Sequence, residues 1–316
     1  MLLQLKPLIH KNMTIPFIKY RKMWVAVAVI TAAICVVFVA MWGLKPSIDF
    51  TGGTLLELSF SKNRPTNVEM QKVLDDLSLK NVTLQQAGDD AFIMRTSFLN
   101  EDEHQLVLKK MREQFQKNDN VVREEGFETI GAAVSQQLRQ RALWAIILVN
   151  LGIIIYIGYA FRKVSQPIAS WKYGALAIVA LVHDLLVVLG VFAVLGHFQG
   201  IEVDVGFVVA LLTVLGFSVH DTIVVYDRTR ENLFNRGHKQ SFAEIVNDGL
   251  NQTLMRSINT TMTTLLSLLA LYFFGGPSIH NFALALLVGI ASGAYSSLFI
   301  ASPLLVLVEE WQRKKA

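Results

Sequence analysis

The chain has one cysteine in 316 residues, Cys35, and because no second one exists, no disulfide can form within it. Any exported portion must then be held by its packed core alone. Charge is scarce as well. Asp, Glu, Lys and Arg make up 17% of the residues and hydrophobic types 53%, which is far more apolar than a soluble domain of ordinary usage. Groupings that enzymes rely on are missing: no nucleophile stands with a base, and no metal cluster or phosphate loop is visible. The chain therefore reads as no enzyme, with no metal and no cofactor. Its net charge of +4 calls for no nucleic acid, because the basic residues sort to one side of a membrane.

A hydrocarbon core of roughly 30 Å takes about 20 helical residues to cross. Six stretches are long and apolar enough: 24–42, 142–161, 173–198, 205–226, 257–274 and 282–308. Backbone groups in lipid must be satisfied within the segment, and these runs lack the alternation of barrel strands, so they are helices. The first is longer than a signal-peptide core and no A-x-A-like site follows Trp42, which makes it an uncleaved anchor. Lys and Arg cluster before span one (Lys6, Lys11, Lys19, Arg21, Lys22), between two and three (Arg162, Lys163, Lys172), between four and five (Arg228, Arg230, Arg236, Lys239, Arg256) and after six (Arg313, Lys314, Lys315). The intervening short loops hold none. Both termini are thus expected in the cytoplasm, with the segment between spans one and two outside.

That outer segment, 44–141, is long enough for one small domain. "TGG" turns into an alternating strand from Thr54 to Phe60. A helix follows, opened by cap-like Thr66 with Val68, Val73, Leu74 and Leu77 on its apolar face. Two strands flank a turn at Gly88 and Asp89. A second helix carries Leu106, Val107, Met111 and Phe115, with acids at its start and bases toward its end, and "VVREEGFETIG" is a last strand. The order β-α-β-β-α-β is that of a ferredoxin-like unit. His104 is expected to be solvated. The fold class is a polytopic α-helical membrane protein of six transmembrane helices with one extracytoplasmic α+β ferredoxin-like domain between helices 1 and 2. Its parts are a cytoplasmic segment 1–23, helix 1 at 24–43, the outer domain 44–141, the helix 2–6 bundle 142–308 and a cytoplasmic tail 309–316.

Two acids lie inside the apolar spans, each preceded by His: "LVHDLL" holds Asp184 and "SVHDTI" holds Asp221. An ionisable group at mid-membrane costs on the order of 2.5 to 3.5 kcal/mol and usually faces the bundle interior, often on an ion or proton path. Asp184 falls about halfway through its span and Asp221 a turn or two from the cytoplasmic boundary. Span five offers a countercharge at Arg256, with Asn259, Thr260, Thr263 and Ser267 repeating at three and four along one polar face. The alternative reading of Asp221 is a hydrogen-bond acceptor that locks helix to helix. His183 and His220 read as packed or hydrogen-bonded groups, with titration near neutrality left open. In span six Ala285, Gly289, Gly293 and Ser297 recur every four residues, a small-residue stripe for close helix packing. After span four, Ser241 and Glu244 fit a capping box ahead of Phe242, Ile245, Val246 and Leu250.

"DFTGG" (Asp49, Phe50, Thr51, Gly52, Gly53), "GFSVHDTIVVYDRTREN", "QTLMRSINT" and "FGGP" occur in order in this six-span chain. Together they resemble the SecF branch of the SecD/SecF family of protein-export membrane subunits, within the resistance-nodulation-division group of proton-driven transporters. The chain departs at Phe217, where the family often has Tyr, and at His220, where it often has Asn. The resemblance implies a bacterial inner-membrane subunit that uses the proton-motive force to help late export and release of preproteins. Its partners would be a SecD-type subunit, the SecYEG translocation channel, the unfolded preprotein and the lipid bilayer. Asp221 would carry the proton and Arg256 would gate it, with Asp184 and His220 on or beside the path. Six spans are half of the pseudo-symmetric bundle such transporters use, so a partner half is expected. Rival readings are a proton-coupled small-molecule exporter half, which should show a larger outer domain, and a purely structural assembly subunit.

Overall fold

The computed structural model describes residues 14–77, 79, 81–88, 90–117, 119–161, 167–236 and 239–315. Six helical stretches are long and apolar enough to cross a membrane, and the chain is a polytopic helical membrane protein. Lys6, Lys11, Asp89, Arg162 and Lys163, named above, lie outside the described residues.

The chain divides into two compact units. One comprises the chain up to Leu44, Ile146–Ile201 and Val209 onward; the other comprises Lys45–Ala145 together with Glu202–Val208. The second unit thus takes in the first turn of the helix that begins at Val205, which the sequence division placed wholly in the bundle.

The membrane unit holds α1 (Arg21–Trp42), about the second half of α5 (Ala132–Ala160), all of α6 (Ser170–Gln199) and the greater part of α7 (Val205–Arg236). It also holds α8 (Phe242–Phe274), α9 (Pro277–Ser296) and α10 (Ser302–Arg313). Helices run past the apolar spans because length is set by hydrogen bonding and capping as well as by hydropathy. Helix α8 is one piece from the capped start through span five: the Ser241 box is formed, with Ser241 accepting from the Glu244 amide, and its apolar first turns are buried at Phe242, Ile245, Val246 and Leu250. Helices α6, α7 and α9–α10 are interior, whereas α1, α5 and α8 are mostly exposed within the unit. Among interior contacts, Phe161 stacks on Tyr173 at 5.5 Å, and Tyr226 meets Tyr173 edge-on at 5.3 Å. At the α1–α6 crossing Gly190 lies on Cys35; a Cβ there would come within 2.6 Å of the Cys35 Cβ. Cys35 is a buried free thiol.

Span six is interrupted. Ser297–Ala301 forms a π turn between α9 and α10. Pro303 lacks the N–H that would continue the α-helical ladder, so the turn widens, and Ser302 Oγ donates to the Ser297 carbonyl at 3.2 Å.

In the outer unit a single turn, α2 (Ile48–Thr51), leads into β1 (Gly53–Phe60), α3 (Asn67–Asp76), β2 (Thr83–Ala87), β3 (Ala91–Thr96), α4 (Glu101–Phe115) and β4 (Val122–Ile130). The sheet order is β2-β3-β1-β4 with every pairing antiparallel, the ferredoxin-like arrangement. A bulge at Glu57/Leu58 opposite Glu124 to Gly126 breaks the β1–β4 register. Leu56, Leu58 and Phe60 project to one face with Phe92 and Met94, and meet Met70, Leu74, Val107, Leu108 and Met111 from the helices. Truncating one such residue, Leu56→Ala for instance, costs about 2 to 5 kcal/mol.

Three details of this domain correct the sequence reading. In α3, Val68 is exposed and Met70 takes the core position, giving a face of Met70, Val73, Leu74 and Leu77. In α4, Leu106 is exposed and Leu108 is buried. His104 is buried rather than solvated: its ring stacks on Phe127 at 3.7 Å, and Nε2 lies 3.2 Å from Glu124 Oε1. An aromatic ring on a strand gave the imidazole a face to cover, which helix periodicity alone cannot foresee.

Candidate functional site: buried acids of the membrane bundle

Asp184 sits mid-way along α6 with no exposed surface. Three serine hydroxyls from two other helices donate to it: Ser218 Oγ of α7 to Oδ2 at 2.6 Å, Ser296 Oγ of α9 to Oδ2 at 2.6 Å, and Ser292 Oγ of α9 to Oδ1 at 2.8 Å. His183 Nδ1 is 3.3 Å from Oδ1. Ser292 and Ser296 reach one carboxylate because residues four apart share a helix face. They come close because α9 is small where it meets α7. A Cβ at Gly289 would collide with the Val214 side chain, and one at Gly293 would sit 2.8 Å from the Ser218 Cβ. The stripe Gly289 and Gly293 is therefore where α7 lies directly on α9.

One turn along the same face of α7 is Asp221. It is buried, and its Oδ2 has no hydrogen-bond partner among the described residues. Thr222 beside it bonds Ser297 Oγ at 2.9 Å, and Tyr226 donates to the Ala301 carbonyl at 3.1 Å, so the π turn of span six is tied to this stretch of α7. No ion pair joins Asp221 to Arg256, which is exposed on α8. His220, adjacent in sequence, points outward, since consecutive helical residues are about 100° apart.

Asn259, Thr260 and Thr263 are exposed on α8. The threonines bond back to their own helix: Thr260 Oγ1 to the Arg256 carbonyl at 2.8 Å and Thr263 Oγ1 to the Asn259 carbonyl at 3.0 Å. The inward polar face of α8 is a different one, Thr253, Ser257 and Thr261, where Ser257 and Thr261 have buried hydroxyls without a partner among the described residues. Sequence reasoning missed that face and the serines around Asp184. Their signal was spacing by four, at 253, 257 and 261 and again at 292 and 296.

The outer motif is positioned separately. Asp49, on α2, accepts the Val205 amide at 2.8 Å through Oδ2. Phe50 is half-buried and Thr51 donates to the Ser47 carbonyl at 3.0 Å. Gly52 and Gly53 have φ of +74° and +128°, and a Cβ at Gly53 would lie 2.5 Å from the Thr96 carbonyl, so this entry into the central strand requires glycine.

Residues 109–311 match the family described as "Protein export membrane protein SecD/SecF, C-terminal", and residues 43–63 match the SecD/SecF GG motif. The chain is 44% identical over 291 residues to the protein translocase subunit SecF of Thermobaculum terrenum, covering 88% of each. It is 40% identical over 280 residues to that of Anaerolinea thermophila, covering 87% of this chain and 89% of the relative. Among solved structures, the crystal structure of SecDF, a translocon-associated membrane protein from Thermus thermophilus, matches 94% of the chain with a TM-score of 0.79 at 32% identity. SecDF in a super-membrane-facing form matches 95% with a TM-score of 0.66 at 30% identity. The chain spans 39% of the length of each of these solved chains.

Proposed function

Because the chain belongs to the SecD/SecF family of protein-export membrane proteins, we propose that it is an auxiliary subunit of the Sec protein translocase. It uses the proton-motive force to assist late export and release of preproteins, beside the SecYEG channel and together with a SecD-type partner. It acts in a bacterial inner membrane with both termini in the cytoplasm, and it is a transport subunit rather than an enzyme.

Asp221 carries this reading: a buried acid in an interior helix whose Oδ2 has no hydrogen-bond partner among the described residues. Such a group marks an ion path more often than a packing contact. Arg256, on the exposed polar face of α8 with Asn259, Thr260 and Thr263, is its gating partner, and that face is where a SecD-type half docks. Asp184 braces the bundle beside the path. His220 lies at its rim. The chain matches 39% of a SecDF chain, and a SecD-type half would complete a pseudo-symmetric bundle. One proton charge crossing the full potential is worth about 2.3 kcal/mol per 100 mV, enough to bias a two-state rocking step.

Preprotein release from membranes containing the chain and a SecD-type partner, with and without a proton gradient, tests the reading. Asp221→Asn should lose the gradient-dependent release while assembling normally. Release equal to wild type would assign the acid to helix packing.

A further inference from the structure

Asp49 opens the "DFTGG" motif at the start of the outer domain, yet its carboxylate is spent on a residue 156 positions away. The Val205 amide it accepts is the first of α7, one of the donors that a helix leaves without an intrahelical partner. Around this bond the two strands of chain run side by side. Val203 N donates to the Lys45 carbonyl at 2.8 Å and Ser47 N to the Val203 carbonyl at 2.9 Å, with Pro46 and Val203 forming a parallel bridge. Glu202 pairs with Arg95 of β3 at 2.9 Å and with Lys45 at 3.6 Å. Asp204 caps the same helix, accepting the Phe207 amide at 2.6 Å. Two carboxylates therefore serve one N-terminus, one from the helix's own loop and one from the motif.

We infer that Asp49 is a positioning residue: it clamps the first turn of α7 to the motif from which β1 starts, so that the outer domain and the helix bearing Asp221 move as one piece. The inference assigns a task to the motif's acid. The glycines after it serve the strand entry, whereas the acid serves a distant helix. Helix α7 runs unbroken from Val205 through Asp221 to Arg236, so a shift of α7 along its axis is delivered at its first turn. Like-charge proximity gives the clamp a second signature. Burial, first, and then the Asp49 charge hold the Asp204 carboxyl above the usual carboxylate range, against the pull of the Phe207 amide. Asp49 is the charged group that acts on Asp204, while Lys45 and Arg95 are paired with Glu202.

The consequence for export rests on the proton-coupled reading above; the clamp itself does not. The test uses the full chain with its SecD-type partner in membranes. Asp49→Ala should raise hydrogen exchange at the Val205 amide on the order of tenfold, the loss of one ordinary hydrogen bond, while Asp49→Asn, which keeps an acceptor, stays near wild type. Asp49→Asn should instead lower the pH midpoint at which the Phe207 amide loses protection, because the like charge beside Asp204 is gone. Val205→Pro deletes the N–H from the other side at a helix position where proline is tolerated. It should remove gradient-dependent release as fully as Asp49→Ala, with the double variant no worse than either. Unchanged exchange at Val205 in Asp49→Ala, or losses that multiply in the double variant, would overturn the inference. If Asp49→Ala does not accumulate, Val205→Pro and the Asp49→Asn midpoint decide. Wild-type membranes with no gradient-dependent release would sink the function reading and leave the exchange results to judge the clamp.

Discussion

Two His-Asp pairs sit in neighbouring helices, and their surroundings are opposite. In α6, His183 and Asp184 are both buried and the acid takes three serine hydroxyls at 2.6 to 2.8 Å. In α7, His220 is exposed and Asp221 is buried with an oxygen that finds no partner among the described residues. The dipeptide is the same, so the difference comes from what other helices bring. A satisfied buried acceptor holds helices together, whereas an unsatisfied one stays available for exchange with something that arrives and leaves. On the proposed reading, Asp184 belongs to the frame and Asp221 to the moving part.

That contrast can be broken at five positions. The largest stability effect should come from Asp184→Leu, which strands three buried hydroxyls and should cost about 2 to 4 kcal/mol in thermal unfolding in detergent. Asp184→Asn, whose amide the hydroxyls can turn to meet, should cost much less. Asp221→Leu should instead leave unfolding within about 1 kcal/mol of wild type, and equal destabilisation by the two leucines would erase the distinction. Next, Gly289→Ala should destabilise by about 1 to 3 kcal/mol through overpacking against Val214, and Val214→Ala in the same chain should recover most of that loss. Gly293→Ala, which pushes Ser218 away from Asp184, should fall in the same range, and Val214→Ala should not rescue it. The smallest effect belongs to His220→Asn: an exposed side chain should change unfolding by no more than about 0.5 kcal/mol. A larger change would show that the imidazole is held by contacts that its exposure does not reveal.

Much of this architecture was legible in the sequence, for reasons that differ by region. The apolar spans are contiguous, so composition alone locates them, although α7 and α8 extend well past theirs because capping and packing continue the helix. The ferredoxin-like order was readable from turn residues and period switches, the Thr66 cap from its residue type, and the Ser241 capping box from spacing. What stayed hidden depends on partners distant in the chain. Ser218, Ser292 and Ser296 look ordinary until Gly289 and Gly293 bring α9 onto α7. Asp49 looks like a turn residue until Val205 is seen above it. His104 looks solvated until Phe127 covers its ring. The exposed stripe from Arg256 to Thr263 was visible, whereas the inward one at Thr253, Ser257 and Thr261 was masked by the same abundance of hydroxyls.

The central claim is that Asp221 exchanges protons while Asp184 does not. Infrared difference spectra of the chain with its SecD-type partner, recorded across a pH step, report carboxyl groups that gain or lose a proton. The account predicts a carboxyl difference band that disappears in Asp221→Asn and persists in Asp184→Asn. A band that survives Asp221→Asn and vanishes in Asp184→Asn would contradict it.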